Sequence, residues 1–595
     1  MNILFWVLAG ILLYTLIAMT LEARGLLPSS FNVSGPILTI HTKRGRDFLE
    51  WLSSPKRLWR AWGNFGLGIA IVVMFGSFLA VLLSAYGTLT EPDLAVGIRP
   101  QDALVIPGVN QFLPLEAAVH IIAGLVIGLV VHEGGHGLLC RVENIDIQSM
   151  GIALFALIPL GAFVQPDEES QRSADRGGKT RMFAAGVTNN FLVTVIAFVL
   201  LFALVGSFIT VIPGLAVAGA LPGSSADDAG IERGDVLTSV NNTTIENEDD
   251  FDAALADAGQ IVTVDRHEDD PVSVERQLLV SRLVVDAPLE RGNIIQEVDG
   301  VSVHTNQDFQ QAIADAEMVT LGVKDTEQEL SNVTIPIGTF SSTVLDDRPM
   351  DEAGAPDRPM LIHSIDGTPT PSPDVLIELL ESIPPGEEVT VVAYVGDNDA
   401  MDPWQGDRQT FDIVTAPHPD HDGSQIGIGG IQQGTSGIVF DDFGVDAYPA
   451  SEYHGILGGT APSDDPITSF VLRIGAVLIL PFANLVDPAL GHNFPGFNTG
   501  IESFYDTSGP LSPFVVFGLA NLLFWTGWIN LNLGIFNCIP SYPLDGGHIL
   551  RSCVEASLAR IPIEATPTMA GIITVVISLI MIASVLGLLF LPLVY

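Results

Sequence analysis

The sequence predicts a polytopic α-helical membrane protein with a large acidic α+β region inserted between its membrane helices. The chain of 595 residues is 48% hydrophobic, yet its formal net charge is −44. This charge is segregated, because residues 211–465 contain 49 of the 69 acidic residues and 9 of the 25 basic ones, a net charge of −40. The remainder is nearly neutral and apolar, so we expect a lipid bilayer around one part and water around the other.

Seven apolar stretches outside the acidic region are candidates for contact with lipid, since a helix needs about 20 apolar residues to span a bilayer. The first is not preceded by a basic residue, so we interpret it as a membrane helix and not as a cleaved signal peptide. The seventh, 467–486, contains Arg473 and is interrupted by Pro481, and we predict a re-entrant or interfacial element there. The six predicted transmembrane helices are 2–20, 63–86, 114–140, 183–210, 513–535 and 568–593.

The distribution of basic residues predicts the orientation of these helices in a cell membrane. Lysine and arginine cluster in loops 21–62, 141–182 and 540–567, which are therefore predicted to be cytoplasmic. The acidic region is then extracytoplasmic. An odd number of crossings must separate it from loop 540–567. Helix 513–535 supplies one crossing, which is why 467–486 is not expected to cross singly.

The composition of the acidic region indicates its environment. The whole chain has only four lysines, and the other 21 basic residues are arginine. A carboxylate excess of this size favours a surface adapted to high salt, where counterions screen the repulsion between like charges. A surface that repels acidic ligands is the alternative. The charge argues against nucleic-acid binding, and the absence of cysteine from 211–465 gives no disulfide framework.

A repeated pattern divides the acidic region. Segments 214–255, 287–313 and 359–380 each contain a short β-rich run, a turn, another short strand and an amphipathic helix. The first copy resembles a PDZ domain of the protease-associated kind, and the other two resemble divergent PDZ units. By this resemblance Gly214, Leu215, Ala216 and Val217 form the loop that receives a peptide carboxylate, beside a strand edge open to an added strand. The alternative is a structural spacer that binds no ligand.

These observations define the predicted domain boundaries. They are 1–110, N-terminal transmembrane helices and loops; 111–210, the first half of a membrane core; 211–265, a PDZ-like domain; 266–395, divergent PDZ-like repeats; 396–465, an acidic irregular region; 466–512, a re-entrant or interfacial segment and outer loop; and 513–595, the second half of the core with a C-terminal helix.

The stretch His132-Glu133-Gly134-Gly135-His136 places three ionisable groups in a predicted membrane helix. Residues four apart share one face of a helix, so His132 and His136 can bind one metal ion, with Glu133 beside it. Neutral imidazoles suit zinc, and the carboxylate can take a proton from a metal-bound water. A satisfied pair of core histidines and a proton relay in a transporter are the alternatives. Unpartnered ionisable groups would be costly in a membrane, which favours a functional site.

A catalytic zinc site needs a third protein ligand and one open position. Asp545 follows an apolar helix that Pro540 and Pro543 interrupt, and non-helical backbone at membrane depth is tolerated only inside protein or at a wet cavity. We therefore predict Asp545 as the third ligand of one zinc ion per chain. His548 is a less favoured candidate for this role.

Together these motifs resemble the site-2 protease family of intramembrane zinc metalloproteases. HEGGH is followed by Asn537-Cys538-Ile539-Pro540-Ser541-Tyr542-Pro543-Leu544-Asp545-Gly546, which matches the family form N-x-x-P-x-x-P-L-D-G. The stretch from Ala185 to Phe191 resembles the family's G-P-x-x-N-F motif, with Val187 in place of proline. Gly161-Ala162-Phe163-Val164 resembles the hairpin thought to present substrate. The inserted PDZ-like region also matches.

The resemblance implies the roles of individual residues. His132, His136 and Asp545 would bind zinc, and Glu133 would act as general base and acid. Asn190 and Asn537 would contact the substrate backbone or the oxyanion, and Gly161 and Phe163 would contact an unwound substrate. The substrates would be single-pass membrane proteins, with a peptide C-terminus as a further ligand of the PDZ-like region.

Two other functions remain open from the sequence. One is a membrane receptor or scaffold with a purely structural metal site, which would not need Glu133. The other is a membrane metalloprotease of the prenyl-protein-processing type, which typically takes glutamate as its third ligand, unlike the aspartate here.

Overall fold

The computed structural model of the chain contains two compact units. The membrane unit comprises Met1–Thr210 and Ser451–Tyr595, and the acidic unit comprises Val211–Ala450. The structure describes residues 3–28, 30–42, 44–90, 107, 110, 113–155, 158–256, 258–285, 287–325, 329–396, 403–418, 423–459, 462–463, 465–486, 491–561 and 567–590.

The helices are numbered in chain order. They are α1 (Ile3–Ala23), α2 (Arg44–Leu52), α3 (Lys56–Thr90), α4 (Ala118–Val142), α5 (Glu168–Ser173), α6 (Arg176–Phe208), α7 (Ser225–Asp228), α8 (Glu248–Ala256), α9 (Asn306–Ile313), α10 (Pro349–Glu352), α11 (Pro373–Ser382), α12 (Ala450–Gly458), α13 (Pro466–Ile479), α14 (Ala483–Val486), α15 (Pro513–Cys538), α16 (Asp545–Leu558) and α17 (Pro567–Phe590).

The strands are numbered in the same way. They are β1 (Phe31–Ser34), β2 (Ile37–His41), β3 (Ile147–Phe155), β4 (Ile158–Pro166), β5 (Ile209–Val211), β6 (Leu215–Ala220), β7 (Val236–Val240), β8 (Thr243–Thr244), β9 (Ile261–Arg266), β10 (Asp269–Glu275), β11 (Leu279–Leu283), β12 (Ile294–Val298), β13 (Val301–Ser302), β14 (Met318–Lys324), β15 (Leu330–Pro336), β16 (Thr339–Val344), β17 (Met360–Ile365), β18 (Thr368–Pro369), β19 (Glu388–Val395), β20 (Asp407–Val414), β21 (Ala416–Pro417), β22 (Ser424–Gln425), β23 (Ile428–Ile431), β24 (Ile438–Asp441), β25 (Val445–Ala447) and β26 (Tyr505–Thr507).

The chain is a multi-pass membrane protein, as the apolar stretches predict. Within the described residues, six helices are long and apolar enough to cross a bilayer. Five correspond to predicted spans, whereas the predicted first span forms α1, whose described apolar part, Ala9–Ala23, is shorter. The sixth is Pro466–Leu485, where α13 gives way to a 3₁₀ turn that contains Pro481. The six are Lys56–Thr90, Leu115–Val142, Arg176–Phe208, Pro466–Leu485, Pro513–Cys538 and Thr568–Phe590.

The break at Pro481 is therefore confirmed, while the re-entrant course of 467–486 stays a prediction. Loop 87–113 contains Arg99 as its one basic residue, which predicts that it faces the same side as the acidic region; most of this loop, including 91–106, lies outside the residues that the structure describes.

Three membrane helices, α4, α6 and α15, pack directly on one another. Small residues allow this close approach. A methyl group at Gly124 of α4 would lie 2.9 Å from the carbonyl oxygen of Trp525 of α15, and one at Gly135 would lie 2.7 Å from that of Ala185 of α6. The glycines of α4 therefore bring its polar face against both neighbouring helices.

A four-stranded antiparallel sheet, in the order β1-β2-β3-β4, accompanies these helices. The predicted hairpin after α4 is formed by β3 and β4, with Gly151 opposite Phe163 and Ala153 opposite Gly161. Strands β1 and β2, from the loop before α2, extend it beyond the predicted hairpin. Strand β4 is the edge strand and packs along α4.

Among its described residues the acidic unit contains a two-stranded sheet, β21-β22, and three six-stranded sheets, each joined by a strand from the returning chain. Strand β6 of the first sheet pairs with β25, β11 of the second with β24, and β16 of the third with β23. The chain thus passes through three sheets and then returns through them in reverse order. The strand orders are β10-β9-β7-β6-β25, β15-β14-β12-β11-β24 and β20-β19-β17-β16-β23.

This arrangement corrects two sequence-based expectations. The region 396–465 is not irregular, because it supplies β20 to the third sheet and one closing strand to every six-stranded sheet. The edge beside Gly214–Val217 is not open either, because β6 pairs with β7 on one side and with β25 on the other. Both errors have one physical cause: the closing strand pairs join residues far apart in the chain, such as Ser341 and Ile431, 90 positions apart, and Val217 and Ala447, 230 positions apart, and such pairs leave no local periodicity in the sequence.

Each six-stranded sheet has its own apolar core, which its amphipathic helix completes. Helix α8 contributes Phe251 to the first core, α9 contributes Phe309 to the second, and α11 contributes Leu376 to the third. The returning chain adds Phe443 to the first core and Phe440 to the second. The closing strands therefore belong to the cores as well as to the sheets.

Candidate metal centre

Helix α4 presents the two histidines of HEGGH on one face. The Nε2 atoms of His132 and His136 lie 3.1 Å apart, and the two residues are only 6% and 9% exposed. Their spacing of four residues, about one helical turn, produces this alignment. Two imidazole nitrogens are therefore directed at one point inside the membrane unit.

Asp545, the first residue of α16, brings a carboxylate to the same point. Its Oδ2 lies 3.1 Å from Nε2 of His132 and 3.2 Å from Nε2 of His136. Despite these neighbours, Oδ2 is buried with no hydrogen-bond partner among the described residues. The prediction of Asp545 as the third converging group agrees with this geometry, and within the described part of the chain these three residues form the group that could hold a metal ion.

The spacing of the three atoms fits zinc. Two ligands at 2.0–2.1 Å in a tetrahedral zinc site are about 3.3 Å apart, close to the observed distances of 3.1–3.2 Å. Burial acts to raise the pKa of Asp545, but the imidazoles of His136 and His132 lower it below the usual range of an aspartate. The ionised carboxylate is the form that binds a metal ion.

A tight turn between α15 and α16 positions Asp545. A methyl group at Gly546 would lie 2.3 Å from the carbonyl oxygens of Cys538 and Ile539, and one at Gly547 would lie 2.8 Å from the backbone of Ser541. Only glycine fits such contacts without displacement of the backbone. The two glycines after Asp545 thus let α16 start directly against the end of α15.

Glu133 is held by the edge strand. Its Oε2 accepts a hydrogen bond of 2.8 Å from the backbone N–H of Val164 in β4. Val164 belongs to the hairpin stretch that is predicted to present the substrate. The carboxylate is not one of the three converging groups, which leaves it available for proton transfer beside them.

Helix α6 contacts the outer nitrogen, Nδ1, of both histidines, which is the ring nitrogen that does not face Asp545. Nδ1 of His136 lies 2.8 Å from the carbonyl oxygen of Met182, and Nδ1 of His132 lies 3.2 Å from Nδ2 of Asn190. Gly186 lies between them, and a methyl group there would be 2.7 Å from Nε2 of His136. Sequence reasoning missed Met182, since a backbone carbonyl carries no residue-type signal.

Other predicted site residues occupy different places. Asn537 donates its Nδ2 to the carbonyl of Leu533, one turn back in its own helix, at 2.9 Å. Gly161 and Phe163 lie on β4 with Val164. Their contacts with substrate, and that of Asn537, stay predictions.

The less favoured ligand, His548, does not belong to the group of three converging residues, and its ring stacks on that of Phe183 with centroids 4.2 Å apart. Gly214, Leu215, Ala216 and Val217 belong to the acidic unit, at and just before the start of β6. Peptide binding there stays a prediction.

Comparison with known proteins relates this geometry to chemistry. The model of Peptidase family M50 matches residues 120–582. An uncharacterized protein of Methanocaldococcus jannaschii is 26% identical over 219 residues, which are 36% of this chain and 54% of that protein. Two proteins named "Putative zinc metalloprotease" also match. The one from Thermotoga maritima is 28% identical over 149 residues, 21% of this chain and 29% of its own. The one from Streptococcus pneumoniae is 40% identical over 67 residues, which are 11% of this chain and 16% of that protein.

The chain thus spans about half the length of the first of these relatives and less than a third of the other two.

Proposed function

The chain belongs to peptidase family M50, the site-2 protease family, and we propose that it is a zinc-dependent intramembrane endopeptidase. It would cleave transmembrane segments of membrane-anchored proteins, as in regulated intramembrane proteolysis. The observation that carries the proposal is the convergence of His132, His136 and Asp545 beside Glu133. Because the third group is an aspartate, the prenyl-protein-processing alternative is less favoured.

The chemistry divides between the bound ion and the protein. Zinc held by the three ligands would act as a Lewis acid and lower the pKa of a coordinated water to about 7. Glu133 would accept the proton of the attacking water and later deliver it to the leaving amine. The N–H of Val164, which donates to Oε2, fixes the orientation of the carboxylate for both transfers.

The edge strand β4 offers a way to hold the substrate. Backbone groups alternate between the two edges of a strand, so the N–H and C=O of Ala162 are directed to the same edge as the N–H of Val164. A membrane helix hides its peptide groups in internal hydrogen bonds and must unwind before it is cut. An unwound segment could then add to this edge, with its scissile bond beside Glu133.

The acidic unit would select partners. Because β25 pairs with β6, the outer edge of the first sheet is formed by β25. This strand follows Gly444, whose φ is +87°. A peptide C-terminus that binds beside Gly214–Val217, as predicted from the sequence, would therefore have to add to the outer edge of β25. The acidic unit would also select substrates by excluding proteins that have bulky domains outside the membrane.

The proposal includes the sidedness and environment of the chain. The basic loops support an active site toward the cytoplasmic side and an extracytoplasmic acidic unit. The net charge of −40 in 211–465 supports adaptation to high salt. If the acidic unit is adapted to high salt, removal of salt should lower the denaturant concentration at which this unit unfolds. An unchanged unfolding midpoint would contradict this adaptation.

The decisive experiment compares the wild type with Glu133→Gln in proteoliposomes that contain tagged single-pass substrates. The variant keeps every metal ligand, so we expect full zinc content and a loss of cleavage of about 10²–10⁴-fold. Glu116→Gln makes the same chemical change at an exposed position just before α4 and should cleave normally. Equal cleavage by wild type and Glu133→Gln would contradict the protease proposal and favour the receptor or scaffold.

A further inference from the structure

Asn190 lies beside the metal centre with its NH₂ group facing His132 and its side-chain oxygen without a hydrogen-bond partner among the described residues. It lies on α6, is 0% exposed, and places its Nδ2 3.2 Å from Nδ1 of His132. Its Oδ1 is buried and has no hydrogen-bond partner among the residues that the structure describes. A buried acceptor without a partner costs about 1–3 kcal/mol, so this arrangement calls for a physical explanation.

The chemistry of a metal-binding imidazole provides one. Nε2 of His132 is the nitrogen that faces Oδ2 of Asp545 and Nε2 of His136. A neutral imidazole that gives its Nε2 lone pair to a metal carries its proton on Nδ1. Nδ1 is then a donor and requires an acceptor, which the NH₂ group of an amide cannot provide.

Rotation of the Asn190 amide by half a turn would exchange its two terminal atoms. Oδ1 would then accept from Nδ1–H of His132, and the buried acceptor would gain its missing partner. Metal-ligating histidines almost always donate their other N–H to such an acceptor, which fixes the tautomer and the ring orientation.

The second histidine already shows the same arrangement. Nδ1 of His136 lies 2.8 Å from the carbonyl oxygen of Met182, also on α6. One helix thus faces the outer nitrogen of each metal-binding histidine, with a backbone carbonyl for one and a side chain for the other. Only the side chain can be changed by substitution, which makes Asn190 the testable member.

We propose that Asn190 is a positioning residue for His132: with the metal bound, its Oδ1 accepts the Nδ1 proton and orients the imidazole. This inference rests on the proposed zinc site. It differs from the substrate or oxyanion contact that the sequence led us to expect for Asn190. A fully buried side chain already engaged with His132 has no exposed surface to offer a substrate.

The test is the zinc affinity of the purified full-length chain, measured by competition with a chelator in the absence of substrate. Asn190→Ala should weaken zinc binding by about 10–100-fold. Asn190→Asp should bind close to the wild type, because a carboxylate oxygen also accepts from Nδ1–H. Asn189→Ala is the matched control: this neighbouring amide accepts from Trp62 Nε1 at 3.0 Å and donates to the carbonyl of Val131 at 3.5 Å, and since neither bond involves a histidine, zinc affinity should be unchanged.

A second readout separates positioning from loss of folding. The metal-free variants should unfold at the same temperature as the metal-free wild type. Cobalt(II), which accepts the same kinds of ligand, should give altered visible absorption in Asn190→Ala and wild-type absorption in Asn190→Asp.

Two results would overturn the proposal. One is zinc affinity of Asn190→Ala equal to the wild type, with cleavage impaired only through a higher KM, which would restore the substrate role. The other is equally weak binding by Asn190→Ala and Asn190→Asp, which would point to side-chain packing. If the wild type binds no zinc, or if Glu133→Gln cleaves normally, the proposed function itself is contradicted. If the wild type binds zinc and Glu133→Gln does not cleave, either of the two results above contradicts only the role of Asn190.

Discussion

The metal centre and the acidic unit use charged residues in opposite ways. At the metal centre, a few buried polar groups from α4, α6 and α16 converge on one point, and each depends on a specific neighbour. In the acidic unit most charge is at the surface, and three separate apolar cores carry the fold. A single substitution of a polar residue at the metal centre therefore removes an atom on which metal binding depends. In the acidic unit, substitution of a charged residue should lower stability only where the charge is buried.

Loss of a metal ligand should have the largest effect. Asp545→Ala removes the only carboxylate of the predicted ligand set, and we expect zinc affinity to fall by more than the ~100-fold typical of outer contacts. Metal analysis of the purified chain measures this directly. His548→Ala, which removes a ring stacked on Phe183, should retain zinc. Full zinc content in Asp545→Ala would refute its assignment as a ligand.

The acidic unit has one place that resembles the metal centre in its dependence on a partner. Arg276 and Asp442 are 3% and 5% exposed and form two hydrogen bonds of 2.6 and 3.0 Å. Arg276 also donates to the carbonyl of Leu255 at the end of α8, and Asp442 accepts from the N–H of Asn306 at the start of α9. The pair therefore links parts of the first and second sheets.

Arg276→Met should destabilise the acidic unit by about 3–5 kcal/mol, because it leaves Asp442 buried without its partner. Hydrogen exchange of peptides from 211–450 in the full-length chain measures this. The double variant Arg276→Met with Asp442→Leu should recover much of the loss.

Arg408→Met is the exposed control for this prediction. Its pair with Glu317 is about half exposed on both sides, so the change should stay within about 1 kcal/mol. Equal effects of Arg276→Met and Arg408→Met would mean that the buried pair has no special role.

A smaller effect should separate the two glycines inside HEGGH. A methyl group at Gly135 would lie 2.7 Å from Ala185 O, so Gly135→Ala should cost about 1–3 kcal/mol by overpacking. A methyl group at Gly134 would meet nothing within 4 Å, and Gly134→Ala could stabilise the helix by up to about 1 kcal/mol. Thermal unfolding in detergent compares the two. Equal losses would show that the contact between α4 and α6 does not limit stability.

The sequence predicted the membrane unit better than the acidic unit. Helix spacing and apolar length are local properties, and they correctly predicted the convergence of His132, His136 and Asp545 and five of the six helices long enough to cross a bilayer. The acidic unit depends on strand pairs such as Val217 with Ala447, which lie 230 positions apart. No local pattern records such a pair, so the edge beside Val217 was expected to be open and the closing strands within 396–465 were expected to be irregular structure.

By itself, the sequence determined which residues could act: two histidines one helical turn apart, a carboxylate beside them, and an aspartate after a broken membrane helix. It also determined the separation of an apolar part from an acidic part, because composition alone decides which segments can leave water. The remaining features depend on how the chain packs in three dimensions. The tertiary structure brought Oδ2 of Asp545 to within 3.2 Å of both imidazoles, placed Glu133 on the N–H of Val164, and set Asn190 against the outer nitrogen of His132. These contacts depend on how helices and strands far apart in the chain pack, and on backbone groups that every residue type shares.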